Sequence, residues 1–250
     1  MGELEMDKEE YPGAFFLASL MTSYPDEKFE ESTKLLLEDD LANRRLDRVC
    51  GDAWANMKGY LGEILVDPEA LRDLRGLYVD IFERSRPMNS LYETEYGLGR
   101  SVAKGPELLD IATFYKSFGF ELGQDSSSLE MVDHLAVELE FYGLMAMKVE
   151  ALKADGDKEG YEIVDNARKK FLENHLGGFT SSLLSRPGVA GNTFYFNAIK
   201  CVDALICAEC EKLGIEKKSK EWENNVVNHE DEMNCGAVGC FSGDPKNVNN

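Results

Sequence analysis

The sequence has 250 residues, with 27 lysines and arginines against 47 aspartates and glutamates, so its formal net charge is −20 at pH 7. A chain this acidic repels nucleic acids and anionic membrane surfaces, which argues against both as partners and favours a basic partner. Because 43% of the residues are hydrophobic, the chain can bury an ordinary core, and its length fits one large domain or two small ones.

Apolar residues recur three and four positions apart along most of the sequence, which predicts an all-α, single-domain helical bundle. The first helix is expected to begin at Tyr11-Pro12 and the fourth at Pro68, because proline is favoured in a first helical turn. Two later helices are expected to end at Gly156 and Gly214, since glycine readily terminates helices. In chain order, the nine predicted helices cover about 11–24, 27–41, 49–66, 68–83, 106–118, 129–154, 158–176, 179–184 and 192–213.

Two stretches interrupt the helical pattern. Between Arg84 and Gly105, proline, asparagine, serine and glycine accumulate, which predicts a long loop at 84–105. A loop of that length inside a compact domain is usually functional or mobile. From Glu216 onward the sequence is polar and rich in asparagine, which predicts a flexible tail. The expected organisation is a helical domain at 1–215 followed by a cysteine-containing tail at 216–250.

The predicted loop contains SLYETEYG at 90–97, in which two tyrosines alternate with two glutamates. Tyr92 and Tyr96 offer aromatic faces beside the carboxylates of Glu93 and Glu95. This combination suits a ligand that carries arginine, through cation–π contact and bidentate pairing. Alternatively, the tyrosines anchor the loop on the core and the glutamates are solvated. Residue chemistry alone favours neither interpretation.

A second motif surrounds a histidine on the longest predicted helix. Glu130, His134 and Glu138 are spaced i, i+4, i+8 and are expected on one helical face, with Asp133 beside the histidine. This spacing suits a histidine whose pKa is raised by carboxylates, a shared metal, or an acid–base enzyme that uses His134 and Glu138. A structural histidine is favoured, because the two-histidine motif of zinc hydrolases is absent.

The cysteines suggest an alternative function. Six cysteines are too few for a disulfide scaffold in a chain of this length. Cys207 and Cys210 are spaced i, i+3 on a predicted helix, while Cys235 and Cys240 lie in the tail with His229. Together they have the chemistry of a zinc or iron–sulfur site, which would make the chain a metal-binding protein. The simpler interpretation is that the helical cysteines are small buried hydrophobic residues.

The sequence lacks the usual features of membrane proteins, secreted proteins and several enzyme classes. The sequence contains no apolar run long enough for a membrane span, and its acidic start lacks the basic residues of a secretory signal. The expected location is the cytosol. Phosphate-loop, dinucleotide and serine-hydrolase motifs are missing, so no sequence feature supports catalysis.

Five stretches of the sequence share a wider similarity. They are YVDIF (78–82), LYETEY (91–96), DHLAVELEFYGLM (133–145), FLENHLGGF (171–179) and TFYFNAIKCVDALI (193–206). In this order they resemble the TorD/DmsD family of redox-enzyme maturation chaperones. The most specific part is Asp133-His134 followed by Glu138, because the family signature places a glutamate four residues after the histidine of an Asp-His pair.

The resemblance implies an all-helical cytosolic protein with a binding function and no covalent chemistry, hence no enzymatic activity and no resident cofactor. Such chaperones recognise the twin-arginine signal peptide of a molybdopterin oxidoreductase of the DMSO reductase type. Many also hold the apoprotein of this catalytic subunit and delay its export until the molybdenum cofactor is inserted. The family includes proteins that exchange helices between subunits, so a monomer and a homodimer are both compatible with it.

The resemblance also assigns residues by position. Tyr92, Thr94 and Tyr96 match the family's loop of two aromatic residues around a serine. Asp133 and His134 match the pair implicated in signal-peptide recognition. The expected partner-binding set is Tyr92, Glu93, Thr94, Glu95, Tyr96, Asp133, His134 and Glu138.

Overall fold

The computed structural model describes residues 10–84, 88–97, 100–121 and 131–221. Within these ranges the chain forms eleven α-helices and no β-strand, which confirms the predicted all-α, single-domain fold. None of these eleven helices is both long and apolar enough to cross a membrane. The helices are α1 (Pro12–Thr22), α2 (Phe29–Leu37), α3 (Asp40–Cys50), α4 (Asp52–Ile64), α5 (Pro68–Tyr78), α6 (Arg100–Ser117), α7 (Leu135–Asp155), α8 (Lys158–Phe171), α9 (Thr180–Leu184), α10 (Pro187–Ala190) and α11 (Thr193–Leu213).

Two helices continue into a turn of π-helix. Val79–Arg84 extends α5, and Leu172–Leu176 extends α8. Such turns are rare and frequently lie at functional sites. The second one contains His175, which is buried. A short 3₁₀ helix at Glu93–Glu95 lies between α5 and α6.

Several predicted helix ends are confirmed. Pro12 and Pro68 occupy the first turns of α1 and α5. Gly156 and Gly214 end α7 and α11 with φ angles of 72° and 67°. These values lie in the left-handed region, which glycine adopts without the steric penalty of a side chain.

The predicted helices at 27–41 and 49–66 have different boundaries in the structure. Asp39 interrupts the first of them, because it caps α3 by accepting hydrogen bonds from the backbone N–H groups two and three residues later. Gly51 interrupts the second, because its φ of 52° is incompatible with a continuing helix. Val49 therefore lies on α3, whereas Trp54 lies on α4.

The predicted loop at 84–105 is shorter than expected. α6 begins at Arg100 and contains Pro106 in its interior, so this proline does not mark the helix start. The π-helical turn after α5 also continues the helical conformation as far as Arg84. Of the irregular residues between these two elements, the structure describes 88–97.

The centre of the bundle consists of α1, α7 and α11. α1 packs against α7, and α11 packs against α1, α3 and α4. Gly143 of α7 permits the close approach to α1, because a Cβ at this position would lie 2.8 Å from a ring carbon of Phe16. Trp54 of α4 is fully buried in the same core.

A buried ionic cluster joins the segment before α1 to α8 and α11. The carboxylate of Glu10 accepts hydrogen bonds from Arg168 at 2.5 Å and from Lys212 at 2.7 Å. Arg168 also donates from Nε to Asp165 at 2.8 Å and lies 3.7 Å from Glu209. Arg168 and Glu10 are only 2% and 3% exposed. The cluster therefore fixes the segment before α1 to α11.

Candidate functional site

The loop at 90–97 is bonded directly to the start of α7. Tyr92 and His134 form an isolated antiparallel β-bridge. The backbone N–H of Glu93 donates to the carbonyl oxygen of Asp133 at 2.9 Å, and the residue after His134 donates to the residue before Tyr92 at 2.8 Å. The structure therefore brings together the two motifs that the sequence resemblance connects.

Asp133 also holds the loop through its side chain. Its Oδ2 accepts hydrogen bonds from the hydroxyl of Thr94 at 2.6 Å and from the backbone N–H of Thr94 at 3.3 Å. The two residues are 39 positions apart in the sequence, and each is only 1% exposed. Because it is buried, Asp133 positions the loop and does not face solvent.

His134 precedes the helix on which the sequence pattern places it. It is the N-cap of α7, and its Nδ1 accepts a hydrogen bond from the backbone N–H two residues later at 3.2 Å. Since an accepting Nδ1 carries no proton, Nε2 carries it and donates to the hydroxyl of Tyr78 at 3.2 Å. The predicted common helical face with Glu138 is therefore wrong, and Glu130 lies outside the described residues. With both ring nitrogens bonded, His134 has no nitrogen left for a metal.

The two tyrosines of the loop have different surroundings. Tyr96 is buried, its hydroxyl donates to the carbonyl oxygen of Ser90 at 2.7 Å, and its ring centroid lies 5.0 Å from that of Phe179. Tyr92 is half-buried, with its ring centroid 5.0 Å from that of His134 in an edge-on arrangement. Tyr96 therefore anchors the loop, whereas part of Tyr92 is accessible to a ligand.

The two glutamates of the loop differ as well. Glu95 is half-exposed and pairs with Lys104 at 2.6 Å. Glu93 is fully buried, so it is not solvated. Its Oε2 lies 3.2 Å from Nδ1 of His175, and its Oε1 accepts a hydrogen bond from Lys220. Neither His175 nor Lys220 is among the residues that the sequence motifs predict for the site.

Further carboxylates lie between this group and the surface. Nε2 of His175 lies 3.0 Å from Asp110, whose side chain is 55% exposed, and Lys220 lies 3.7 Å from Glu107. Burial alone would raise the pKa of Glu93, but the hydrogen bond from His175 and the charge of Lys220 outweigh burial and lower this pKa below 4.5. The site therefore contains a buried carboxylate between the imidazole of His175 and the ammonium group of Lys220.

Glu138 lies behind this group and is fully buried. Burial, followed by the negative charges of Glu93 and Asp133, raises the pKa of Glu138 well above 4.5, which favours the protonated form of its carboxyl group. Its carboxyl group interacts with that of Glu93, and its oxygens have no other hydrogen-bond partner among the described residues. Two buried carboxyl groups in contact cost stability, which is more typical of a functional position than of a structural one.

The charge of His175 gives a testable pH dependence. Burial, together with the charge of Lys220, lowers the pKa of His175, but the hydrogen bond and charge of Glu93 and the hydrogen bond of Asp110 outweigh these effects and raise it above 6.5. A raised pKa means that the protonated histidine stabilises the folded state. This stabilisation is complete below pH 6.5 and is lost as the pH rises through the raised pKa. We expect the free energy of unfolding, measured in urea between roughly pH 6 and pH 9, to fall on the alkaline side.

Two variants test the origin of this dependence. His175→Gln should remove the alkaline slope that His175 contributes. Glu173→Gln changes an exposed residue on the same turn, which pairs with Lys218 at 3.3 Å, and should retain the slope. Identical slopes for the wild type and His175→Gln would contradict the assignment.

An apolar groove of about 650 Å³ lies between the end of α6 and α7. It is lined mainly by Phe118, Phe120, Phe141, Leu144, Met145 and Met147, with Glu121 and Lys148. Apolar concave surfaces of this size are typical ligand-binding sites. Phe141 lies seven residues after His134, which corresponds to about 10 Å along the helix axis, so the groove is near the loop at 90–97.

The cysteine alternative lies only partly within the described residues. Burial raises the pKa of the Cys210 thiol to about 11, which disfavours the thiolate that a metal requires. Cys207 is half-buried, and its Sγ lies 3.5 Å from Nζ of Lys217. In the part of the chain that the structure describes, no group of three or more histidine, cysteine, aspartate or glutamate residues is arranged to hold a metal. Cys235 and Cys240 lie outside that part, so a metal site that includes them stays a prediction.

The comparisons with known proteins agree with this architecture. A family model described as nitrate reductase delta subunit matches residues 43–184, which is more than half of the chain. The matched range runs from α3 to α9 and contains both the loop at 90–97 and the start of α7. No curated protein sequence matches the chain. The chain belongs to the nitrate reductase delta subunit family, a family of chaperones that mature molybdoenzymes.

Proposed function

We propose that the protein is a cytosolic chaperone of the TorD/DmsD type. Its client is the apo form of a molybdopterin oxidoreductase of the DMSO reductase type, and it binds the twin-arginine leader of that client before export. The observation that carries this proposal is the buried Glu93, which is held at the base of an aromatic and acidic loop and already pairs with a cationic side chain. A site built in this way selects basic side chains.

The carboxylates around Glu93 suit the two adjacent arginines of a leader. Glu95, Glu107 and Asp110 are partly exposed, with side-chain exposures of 28%, 32% and 55%. A guanidinium group pairs with carboxylates through two parallel hydrogen bonds and stacks on aromatic rings, whereas an ammonium group acts as a point charge. The half-buried ring of Tyr92 adds such an aromatic surface.

The groove along α7 suits the apolar part of the same leader. A leader in extended conformation rises about 3.3 Å per residue, so about three residues cover the 10 Å between the start of α7 and Phe141. One peptide is therefore long enough to occupy the acidic loop with its arginines and the groove with its apolar segment. In this arrangement the paired arginines set the orientation of the leader, and the remainder of the leader contributes affinity by burying apolar surface.

Asp133 and His134 contribute to binding through the loop that they hold. Both are buried and bonded to other parts of the protein, so their role in this proposal is to position Tyr92 and Glu93 for the peptide. Glu138 provides a further buried carboxyl group behind Glu93. In this proposal none of these residues carries out covalent chemistry.

Calorimetric titration of the full chain with a twin-arginine leader peptide tests the proposal. A peptide in which both arginines are replaced by lysines is the matched control, and both titrations are made at low and at moderate salt. We expect saturable binding that favours the arginine peptide by about tenfold or more and persists at moderate salt. Equal binding of both peptides that disappears with salt would mean nonspecific attraction to an acidic protein and would refute the proposal.

A further inference from the structure

A basic segment of the chain itself lies over the candidate site. Residues 216–221 belong to the predicted tail, yet three lysines fix them to the helical domain. Lys217 pairs with Asp203, Lys218 with Glu173, and Lys220 with Glu93. In a chain with a net charge of −20, three lysines within four residues are an unusual concentration of positive charge.

Backbone hydrogen bonds also hold this segment against the helical domain. The N–H of Lys220 donates to the carbonyl oxygen of Gly178 at 2.8 Å, and the N–H of Gly97 donates to the carbonyl oxygen of Glu221 at 2.8 Å. The segment therefore bonds on one side to the end of the 90–97 loop and on the other to the turn after His175. Such main-chain bonds are independent of sequence, so another peptide is able to form them.

The side chain of Lys220 occupies a closely fitting pocket. We call it the lysine pocket and define it by Glu93, Glu107 and Gly178. A Cβ on Gly178 would lie 2.9 Å from Cγ of Lys220, so the absence of a side chain there makes room for the lysine stem. The ammonium group contacts the fully buried Glu93, and the side chain of Lys220 is itself only 19% exposed.

A second carboxyl group lies behind the lysine pocket. Glu138 is fully buried, is within electrostatic range of Lys220, and interacts directly with the carboxylate of Glu93. The ammonium of Lys220 acts as a point donor, whereas a guanidinium group has five donors in a planar fork. An arginine in the lysine pocket therefore has donors for Glu93 and for a second acceptor behind it.

We propose that the lysine pocket is the binding site for one arginine of the client leader, and that the chain's own Lys220 occupies it until the leader displaces residues 216–221. This inference rests on the proposed function. It adds a specific subsite, the chemistry of its ligand and an internal competitor. Because the competitor must leave before the leader binds, the apparent affinity equals the intrinsic affinity multiplied by the fraction of molecules in which the pocket is open.

The test compares two variants of the full chain with the same change in charge. Lys220→Gln removes the ammonium group and its ion pair from the lysine pocket, whereas Lys218→Gln removes an exposed pair with Glu173 on the same segment. Titration with the twin-arginine leader should show about fivefold or tighter binding for Lys220→Gln and a change of less than about twofold for Lys218→Gln. In the wild type, leader binding should also remove the hydrogen-exchange protection of the Lys220 and Gly97 amides.

Gly178→Ala is a second variant that keeps every charge. Its methyl group crowds the stem of Lys220, and the backbone of Gly178 does not have a positive φ, so alanine fits the main chain. We expect this variant also to bind the leader more tightly. It gives an independent answer should Lys220→Gln fail to fold.

The outcomes separate the two proposals. If the wild type binds the leader but Lys220→Gln and Gly178→Ala bind it no more tightly and amide protection persists, the internal competitor is refuted and the proposed function stands. Weaker binding by both variants would likewise refute competition, because Lys220 would then support the bound state. If neither the wild type nor any variant binds the leader, both proposals fall.

Discussion

Replacing Asp133 with alanine is expected to weaken binding of a twin-arginine leader at least about tenfold and to lower the free energy of unfolding by about 2–3 kcal/mol. The side chain of Asp133 accepts two hydrogen bonds from Thr94, at 2.6 Å and 3.3 Å. Its removal leaves a buried hydroxyl and a buried N–H group without partners. The loop then loses the contact that presents Tyr92 and Glu93. Calorimetry with the leader peptide and urea unfolding measure the two effects.

Two further variants isolate the role of this contact. Asp67→Ala removes another aspartate that accepts a backbone hydrogen bond, at the start of α5, and should cost about 1 kcal/mol without affecting leader binding. Thr94→Val removes the other partner, so the double variant with Asp133→Ala should be little worse than Asp133→Ala alone. A folded Asp133→Ala protein with wild-type affinity would show that the loop anchor is not needed for recognition.

Replacing Arg168 with alanine is expected to lower the free energy of unfolding by about 3–5 kcal/mol. Arg168 is only 2% exposed and holds Glu10 and Asp165 through direct hydrogen bonds. Without the guanidinium group these buried carboxylates lose their most buried cationic partner and keep only lysines, which costs more than the pair with Arg168 itself contributes. Urea or thermal unfolding of both proteins measures the difference.

The same cluster predicts an acid dependence. Burial alone would raise the pKa of Glu10, but the hydrogen bond and charge of Arg168, with Lys212 and Lys153, lower it to about 2. Because the pKa of Glu10 is lower in the folded state, the ionised carboxylate stabilises the fold at pH values above its ordinary pKa of 4.5. This stability is lost as the pH falls toward 2. The acid loss should be steeper in the wild type than in Arg168→Ala.

An exposed arginine provides the control for this prediction. Arg72 pairs with Glu69 on the surface, with side-chain exposures of 66% and 67%, so Arg72→Ala should cost less than about 1 kcal/mol. It should also leave the acid dependence of the wild type unchanged. A similar stability loss in Arg72→Ala and Arg168→Ala would contradict the importance of burial.

Helix ends that depend on local backbone chemistry are predictable from this sequence. Pro68 and Gly156 mark an observed start and an observed end, because their conformational preferences act within one turn. The apolar pattern does not predict the break at Asp39, because Leu37 and Leu41 keep helical spacing across it. Aspartate is nevertheless a strong N-cap residue. Pro106 gives the opposite error, a predicted helix start where none exists, because the sequence pattern does not distinguish a proline inside α6 from one in a first turn.

Only the part of the candidate site that lies in local sequence motifs is predictable from the sequence. The motifs at 91–96 and 133–134 have recognisable sequences, and the structure joins them directly. His175 and Lys220 reach Glu93 from 82 and 127 positions away, and no local pattern encodes contacts of that range. The available signals were FLENHLGGF, which contains His175, and the three lysines at 217–220. Both become informative only when the fold brings them to the loop.

The position of α1 also affects the order in which the protein folds during synthesis. α1 packs against α7 and α11, and Glu10 bonds to Lys212 across 202 positions. Contacts of this range require large loop closures, which cost chain entropy and slow folding. The apolar residues of α1 are synthesised before those of α7 and α11, with which they pack. We therefore expect a nascent chain that ends before α11 to leave exposed the side of α1 that α11 covers, so that the chaperone becomes competent for its client only after α11 is synthesised.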